Sequence, residues 1–371
     1  MIRRIALVAI AACSSPAPRV ELPETKPPIV VDIGHVDVTN DLAVRSEEIS
    51  FKVGDRSIPG TLVEPATGTW PGVVMMAGSG PTDRNWNSPM LPSKNGSGRL
   101  LAEALAKKGA VVLRFDKAGV AANKLAVSAI TFDTYVDEGR AALAYLRTRH
   151  EVDAHHLVIA GHSEGGLHAI RVAIGEGGHI AGLVLLSTPG RTLKDTLLTQ
   201  LDRQLSAAMA PDVAKAQMAS LRQAMNDIVE GRPVDPMAVS TIPAIQQLIA
   251  GMIAPAQAKL VRDLFAFDPI PALGKINVPV LVVNGLKDVQ VDPQLDAAAL
   301  EQAVRAAGHD VTMFLAPDAN HVLEHETHTM AELRADLVAT QNGYNAADRV
   351  LDTTTLSAIA NWLGKLSSSR S

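Results

Sequence analysis

Six short apolar runs, at residues 72–76, 110–115, 157–160, 182–186, 278–283 and 311–315, limit this chain to few folds. Each has strand rather than helix length, and helical stretches separate them. Strands apolar on both faces must be covered on both faces, and a parallel pair needs a crossover between its members. The expectation is an α/β, doubly wound core with a mostly parallel sheet. Upstream, residues 48–53 and 57–63 flank a Gly54-Asp55 turn, a hairpin signal, so the sheet should start antiparallel.

The alternation breaks between residues 191 and 273. There Leu193, Leu197, Leu198, Leu201 and Leu205, then Met218, Leu221, Met225 and Ile228, recur at helical spacing with no strand between them. Pro211, Pro233, Pro236, Pro243 and Pro255 cut the stretch into about four helices. This reads as an inserted helical lid, leaving a core made of 47–190 and 274–371. Met209, Met218, Met225, Met237 and Met252 lie within it. Their flexible side chains suit an adaptable pocket, but for most of them gap-filling in the lid's own core is the simpler role.

Residues 1–13 differ in kind. Met1-Ile2-Arg3-Arg4 is basic, residues 5–10 are apolar, and the small pair Ala11-Ala12 precedes Cys13, the single cysteine of the chain. The pattern is that of an export signal, and Ile10-Ala11-Ala12-Cys13 resembles the lipobox of bacterial lipoproteins, which implies an acylated Cys13 and a membrane anchor on a periplasmic or cell-surface protein. With one thiol, no internal disulfide can form. Residues 14–46 carry Pro16, Pro18, Pro23, Pro27 and Pro28 and read as a tether. The net charge of −5, with no long basic run, offers no footprint for nucleic acid.

Gly161-His162-Ser163-Glu164-Gly165 joins the apolar run 157–160 to a helix-like stretch. A serine on so tight a strand-to-helix turn needs bare neighbours two residues either side, and its hydroxyl is pushed out of the sheet. That hydroxyl is a poor nucleophile until a base takes its proton, and the base needs a third group to fix its tautomer. Asp288 follows the run ending at Val283, and His321 follows the run ending at Leu315, both in loops at the carboxyl ends of strands, where open α/β sheets bind ligands. Asp292, just before Pro293, reads as a helix cap, Asp318 as a turn residue, and His309 falls at the wrong end of its strand. His162 reads as a packing side chain of the turn. Two amides are candidates to hold an oxyanion: that of Glu164, after the serine, and that of Ser79, in the glycine-bearing loop 77–84.

On Gly78-Ser79-Gly80-Pro81-Thr82-Asp83-Arg84, Leu113-Arg114-Phe115-Asp116-Lys117, the Ser163 turn and the Asp288 and His321 contexts, the chain resembles bacterial α/β-hydrolase serine esterases of the dienelactone-hydrolase-related group. The order Ser163, Asp288, His321 is that of α/β-hydrolases. The resemblance implies a carboxylesterase for short to medium acyl esters, with a small-molecule ester as substrate and no metal or organic cofactor. The segment 118–123 departs from relatives by lacking a second glycine and a serine. Thioesterase, acyltransferase or peptidase chemistry would use the same triad. A non-catalytic binding lipoprotein would be expected to lack a triad member. His321-Val322-Leu323-Glu324-His325 also satisfies the H-x-x-E-H string of zinc peptidases, which requires a helix; His325 and His328 otherwise read as a solvated helical face.

Overall fold

The computed structural model describes residues 41–368. Residues 1–13, read as an export signal with Cys13, and the span read as a tether, up to residue 40, lie outside the described residues.

Eight strands form one sheet in the order β1-β2-β4-β3-β5-β6-β7-β8. β1 (Val44–Val53) and β2 (Arg56–Pro65) are the antiparallel hairpin, turning at Gly54, whose φ of 55° suits glycine. β1 opens inside the span read as tether. Val44 and Arg45 pair with Pro65 and Glu64, and the Arg45 guanidinium reaches Glu64 at 2.6 Å and Glu151 at 2.9 Å.

β3 (Trp70–Met76), β4 (Val111–Phe115), β5 (Val152–His162), β6 (Gly182–Leu186), β7 (Val280–Gly285) and β8 (Val311–Ala316) pair in parallel, and β2 meets β4 antiparallel. Helices α1 (Ser97–Lys107), α2 (Phe132–Leu146) and α3 (Glu164–Glu176) supply the first three crossovers. The chain leaves β3 toward β4 on one side, and leaves β5 toward β6 on the other. β3 and β5 are neighbours, so their connections diverge and open a crevice at their carboxyl ends.

The segment Thr192–Phe267, with Val127–Thr131, is a compact unit of its own. It holds five helices, α4 (Leu193–Ala208), α5 (Pro211–Glu230), α6 (Pro236–Val239), α7 (Pro243–Ile253) and α8 (Ala258–Ala266). Pro211, Pro236 and Pro243 occupy first turns, where the missing N–H costs nothing, so here proline starts helices as well as separating them. Leu205, Leu221, Met225 and Ile249 are fully buried in this unit's own core, with Met218 and Met252 beside them, while Met237 is exposed. The short helix α9 (Pro269–Leu273), grouped by sequence with the insertion, packs on α3 and belongs to the sheet's unit.

Within that larger unit, α10 (Ala298–Ala306) crosses from β7 to β8, and α11 (Met330–Ala335), α12 (Leu337–Asn342) and α13 (Thr353–Ser368) end the chain. α1 and α13 share one face of the sheet, while α2 and α3 pack together. Both faces are thereby covered, which is why strand residues such as Val74, Val112, Ile159, Leu185 and Val283 are all fully buried.

Candidate active site

Ser163 stands alone between β5 and α3, at φ 54° and ψ −127°. A non-glycine residue pays of order 1–3 kcal/mol for such a backbone, so its surroundings must impose it. Ser163 N–H donates to Leu186 O at 2.9 Å and Gly166 N–H to Ser163 O at 2.9 Å. A Cβ on Gly165 would come within 2.5 Å of Met76 O and 2.6 Å of Ala77 O, and one on Gly161 would overlap the Gly165 carbonyl. Gly166, which the five-residue motif does not include, is equally bare because Thr188 fills the space beside it.

The loops after β7 and β8 bring the other two expected residues together. His321 Nδ1 lies 2.8 Å from Asp288 Oδ2, with Asp288 1% and His321 4% exposed. A carboxylate there fixes the proton on Nδ1 and leaves Nε2 free to accept one. Asp288 is itself held, because its Oδ1 accepts from Gln290 N at 2.8 Å and Val291 N at 2.9 Å. Asp292 caps the helical turn Pro293–Ala297, and His309 precedes β8 at the far end of that strand.

His162 does more than the packing expected of it. Its ring stacks on Trp86 with centroids 4.3 Å apart, and its Nε2 lies 2.8 Å from His321 O, so Nε2 must carry the proton and donate. Burial, then the neighbouring His321, pulls its pKa down to about 3, and the ring stays neutral near pH 7. The residue before Ser163 thereby ties the elbow to the backbone of His321. Nothing in the sequence joins positions so far apart.

The loop after β3 runs past the elbow, for a Cβ on Gly78 would lie 3.1 Å from Ser163 Cβ. Among the described residues the Ser79 and Glu164 amides have no protein acceptor. That of Glu164 also opens α3, where the helix dipole favours negative charge. The loop is fastened by Asp116, which accepts from Arg84 N at 3.1 Å and Arg84 Nη2 at 2.9 Å, and by Asp83, whose Oδ1 accepts from Asn85 N and Asn87 N at 2.8 and 3.0 Å. The unusual segment 118–123 makes its turn with Gly119 at φ 78° and Ala121 at φ 44°, closed by Asn123 Nδ2 on Asp116 O at 2.9 Å.

A strained serine between strand and helix, a buried His-Asp pair and two unengaged amides at one end of a parallel sheet are the parts that acyl transfer would need. Residues 96–328 match the family model described as "Serine aminopeptidase, S33". The chain belongs to this S33 hydrolase family. Esterase EstD of Thermotoga maritima is 25% identical over 268 residues, which cover 72% of this chain and 58% of that protein. The S33 chain therefore matches under two thirds of the length of that relative. Among solved structures, brefeldin A esterase, a bacterial homologue of human hormone sensitive lipase, superposes with a TM-score of 0.51 at 17% identity, covering 91% of this chain and 81% of that one. Proline iminopeptidase of Mycobacterium smegmatis gives 0.50 at 17%, covering 88% and 100%. The architecture is that of the α/β-hydrolase fold.

In this S33 chain the H-x-x-E-H string is not helical. Leu323 has φ 64°, Ala319 bridges His325 antiparallel, and Glu324 bridges Leu351. His321 Nδ1 is committed to Asp288 and His325 lies 3.5 Å from Asp352, so the two imidazoles do not share a helical face. Nor do His325 and His328 line a solvated helix; His328 Nδ1 sits 2.6 Å from buried Glu326.

Glu324, three residues after His321, is fully buried, accepting from Asn345 N at 3.2 Å and more weakly from Asn320 Nδ2 at 3.4 Å. Burial pushes its pKa up to about 7 from an unfolded value of 4.5. Between those two values the folded chain holds a proton that the unfolded chain has released, so stability falls as pH rises through that window. Glu324→Gln should remove this dependence and gain on the order of 2 kcal/mol over the wild type between pH 5 and 8. Urea unfolding at both pH values checks it; parallel curves for the two proteins would mean that Glu324 stays ionised when buried.

Proposed function

We propose that this chain is a serine esterase of the carboxylesterase type, acting on short to medium acyl esters. The observation that carries the reading is the His321–Asp288 pair at 2.8 Å, in one unit with an elbow serine whose backbone is forced into the positive-φ region. His321 Nε2 takes the Ser163 proton as Oγ attacks the ester carbonyl. The Ser79 and Glu164 amides bind the oxyanion, and His321 returns the proton to the departing alcohol. Water, activated by the same Nε2, then releases the acid and restores Ser163. The relationship to esterase EstD and the chemistry of the residues both support an ester substrate. The reading extends to anchorage through Cys13, which rests on the sequence of residues 1–13.

The test is a panel of p-nitrophenyl esters of rising acyl length, with an aminoacyl p-nitroanilide for comparison, assayed on membrane and soluble fractions of bacteria making the full chain. Turnover of esters that survives a chelator, is abolished by a fluorophosphonate and sediments with membranes is expected. Anilide cleavage outrunning ester cleavage would replace esterase by peptidase, and activity confined to the soluble fraction would remove the anchor.

A further inference from the structure

Lys117 is a lysine where none should be comfortable. It is 5% exposed, directly follows Asp116 beyond β4, and its ammonium lies 3.9 Å from the equally buried Glu164 carboxylate and 5.3 Å from the Tyr135 ring centroid. Nζ also donates to the carbonyl oxygen of Gly78. The proposed mechanism uses neither side chain. Burying such a pair is costly, and a hydrophobic pair of the same volume would often be at least as stable, so a purely structural account leaves the lysine unexplained.

The carbonyl of Gly78 belongs to the same peptide unit as the Ser79 N–H. In a trans peptide these two groups point in opposite directions, so a donor fixed on the oxygen fixes the direction of the amide. It also polarises the unit, making the N–H a stronger donor. The Glu164 carboxyl faces the same loop, where the Ser79 side chain helps to lower its pKa. Burial opposes the Glu164 charge, but Lys117 and His168 hold the carboxyl ionised. Glycine at 78 permits the close pass by Ser163, but a bare glycine cannot hold its own peptide plane.

We infer that Lys117 is a positioning residue of the oxyanion hole: by holding the Gly78 carbonyl it aims the Ser79 amide at the tetrahedral intermediate, with the Glu164 carboxylate as its counter-charge. The inference rests on the serine esterase reading. An aimed donor acts on the oxyanion and scarcely on the planar ester, so its loss belongs in kcat and in the affinity for a tetrahedral analogue.

The experiment compares wild type, Lys117→Met and the double variant Lys117→Met/Glu164→Gln, which leaves no unpaired buried charge should the single variant fail to fold. Each is assayed for kcat and KM on a p-nitrophenyl ester and for inhibition by a trifluoromethyl ketone, with thermal unfolding measured alongside. Expected in both variants is a fall in kcat of about 30-fold or more with KM within about twofold, and a loss of ketone affinity in the same proportion as kcat/KM. A kcat within about threefold of wild type in a folded variant would overturn the inference. So would full recovery of kcat in the double variant, because Lys117 would then only neutralise Glu164. Wild type that neither turns over ester nor takes a fluorophosphonate would fail the esterase reading itself, a result distinct from normal wild type beside normal variants.

Discussion

Ser163→Ala is expected to lower kcat on p-nitrophenyl esters by roughly a million-fold, the scale at which a lost serine nucleophile leaves only binding and oxyanion stabilisation. The elbow is held by backbone contacts that alanine keeps, Ser163 N to Leu186 O and Gly166 N to Ser163 O, both at 2.9 Å. Alanine and serine bear similar strain at φ 54°, so the melting temperature should move by no more than a few degrees. The measurement is single-turnover burst amplitude on purified protein, with phosphonate labelling followed by mass. A variant retaining even one per cent of wild-type turnover would move the nucleophile elsewhere.

Asp288→Asn should cost about ten-thousand-fold in kcat, through the tautomer of His321. Two backbone amides, Gln290 N and Val291 N, point at Oδ1 and demand an oxygen there. The asparagine must therefore turn its NH₂ toward His321 Nδ1, at the position where Oδ2 now lies 2.8 Å away. Nδ1 then has to accept, and the proton moves to Nε2, where it blocks the base. The fold should survive, since the loop's hydrogen bonds are kept. Nitrogen-15 shifts of His321 would report the exchanged protons. Near-normal activity with an unchanged tautomer would mean that Asp288 only packs the loop.

Much of the site could be read from the chain because the demands on it are local. A strand buried on both faces has to be a continuous apolar run, so β3 to β8 were visible as such, and the turn between β1 and β2 needed only Gly54. The elbow was visible for the same reason, because two glycines and a serine must fit a turn of a few residues. Asp288 and His321, which pair in the structure, were singled out by their places after strands. The helical reading of residues 321–328 failed because periodicity in so short a stretch is weak, and Leu323 turns the backbone to let Glu324 pair with Leu351. The number of inserted helices was also underestimated, since proline can open a helix as readily as end one.

Lys117, His162 and the side chain of Glu164 gave no such signal. A lysine is ordinarily solvated and a histidine in a turn ordinarily packs, so either becomes informative only when burial and a distant partner are known. Lys117 meets Gly78 across 39 positions and His162 meets His321 across 159. The sequence by itself determined what each segment could be: which runs are strands, where the turn must be bare, and which side chains could be nucleophile, acid and base. Only the tertiary structure decided which of them meet. The strand order at β3 and β5 opens the crevice that brings the four loops together, and the contacts that aim the Ser79 amide and seat His321 form between residues whose chemistry is ordinary until they are buried side by side.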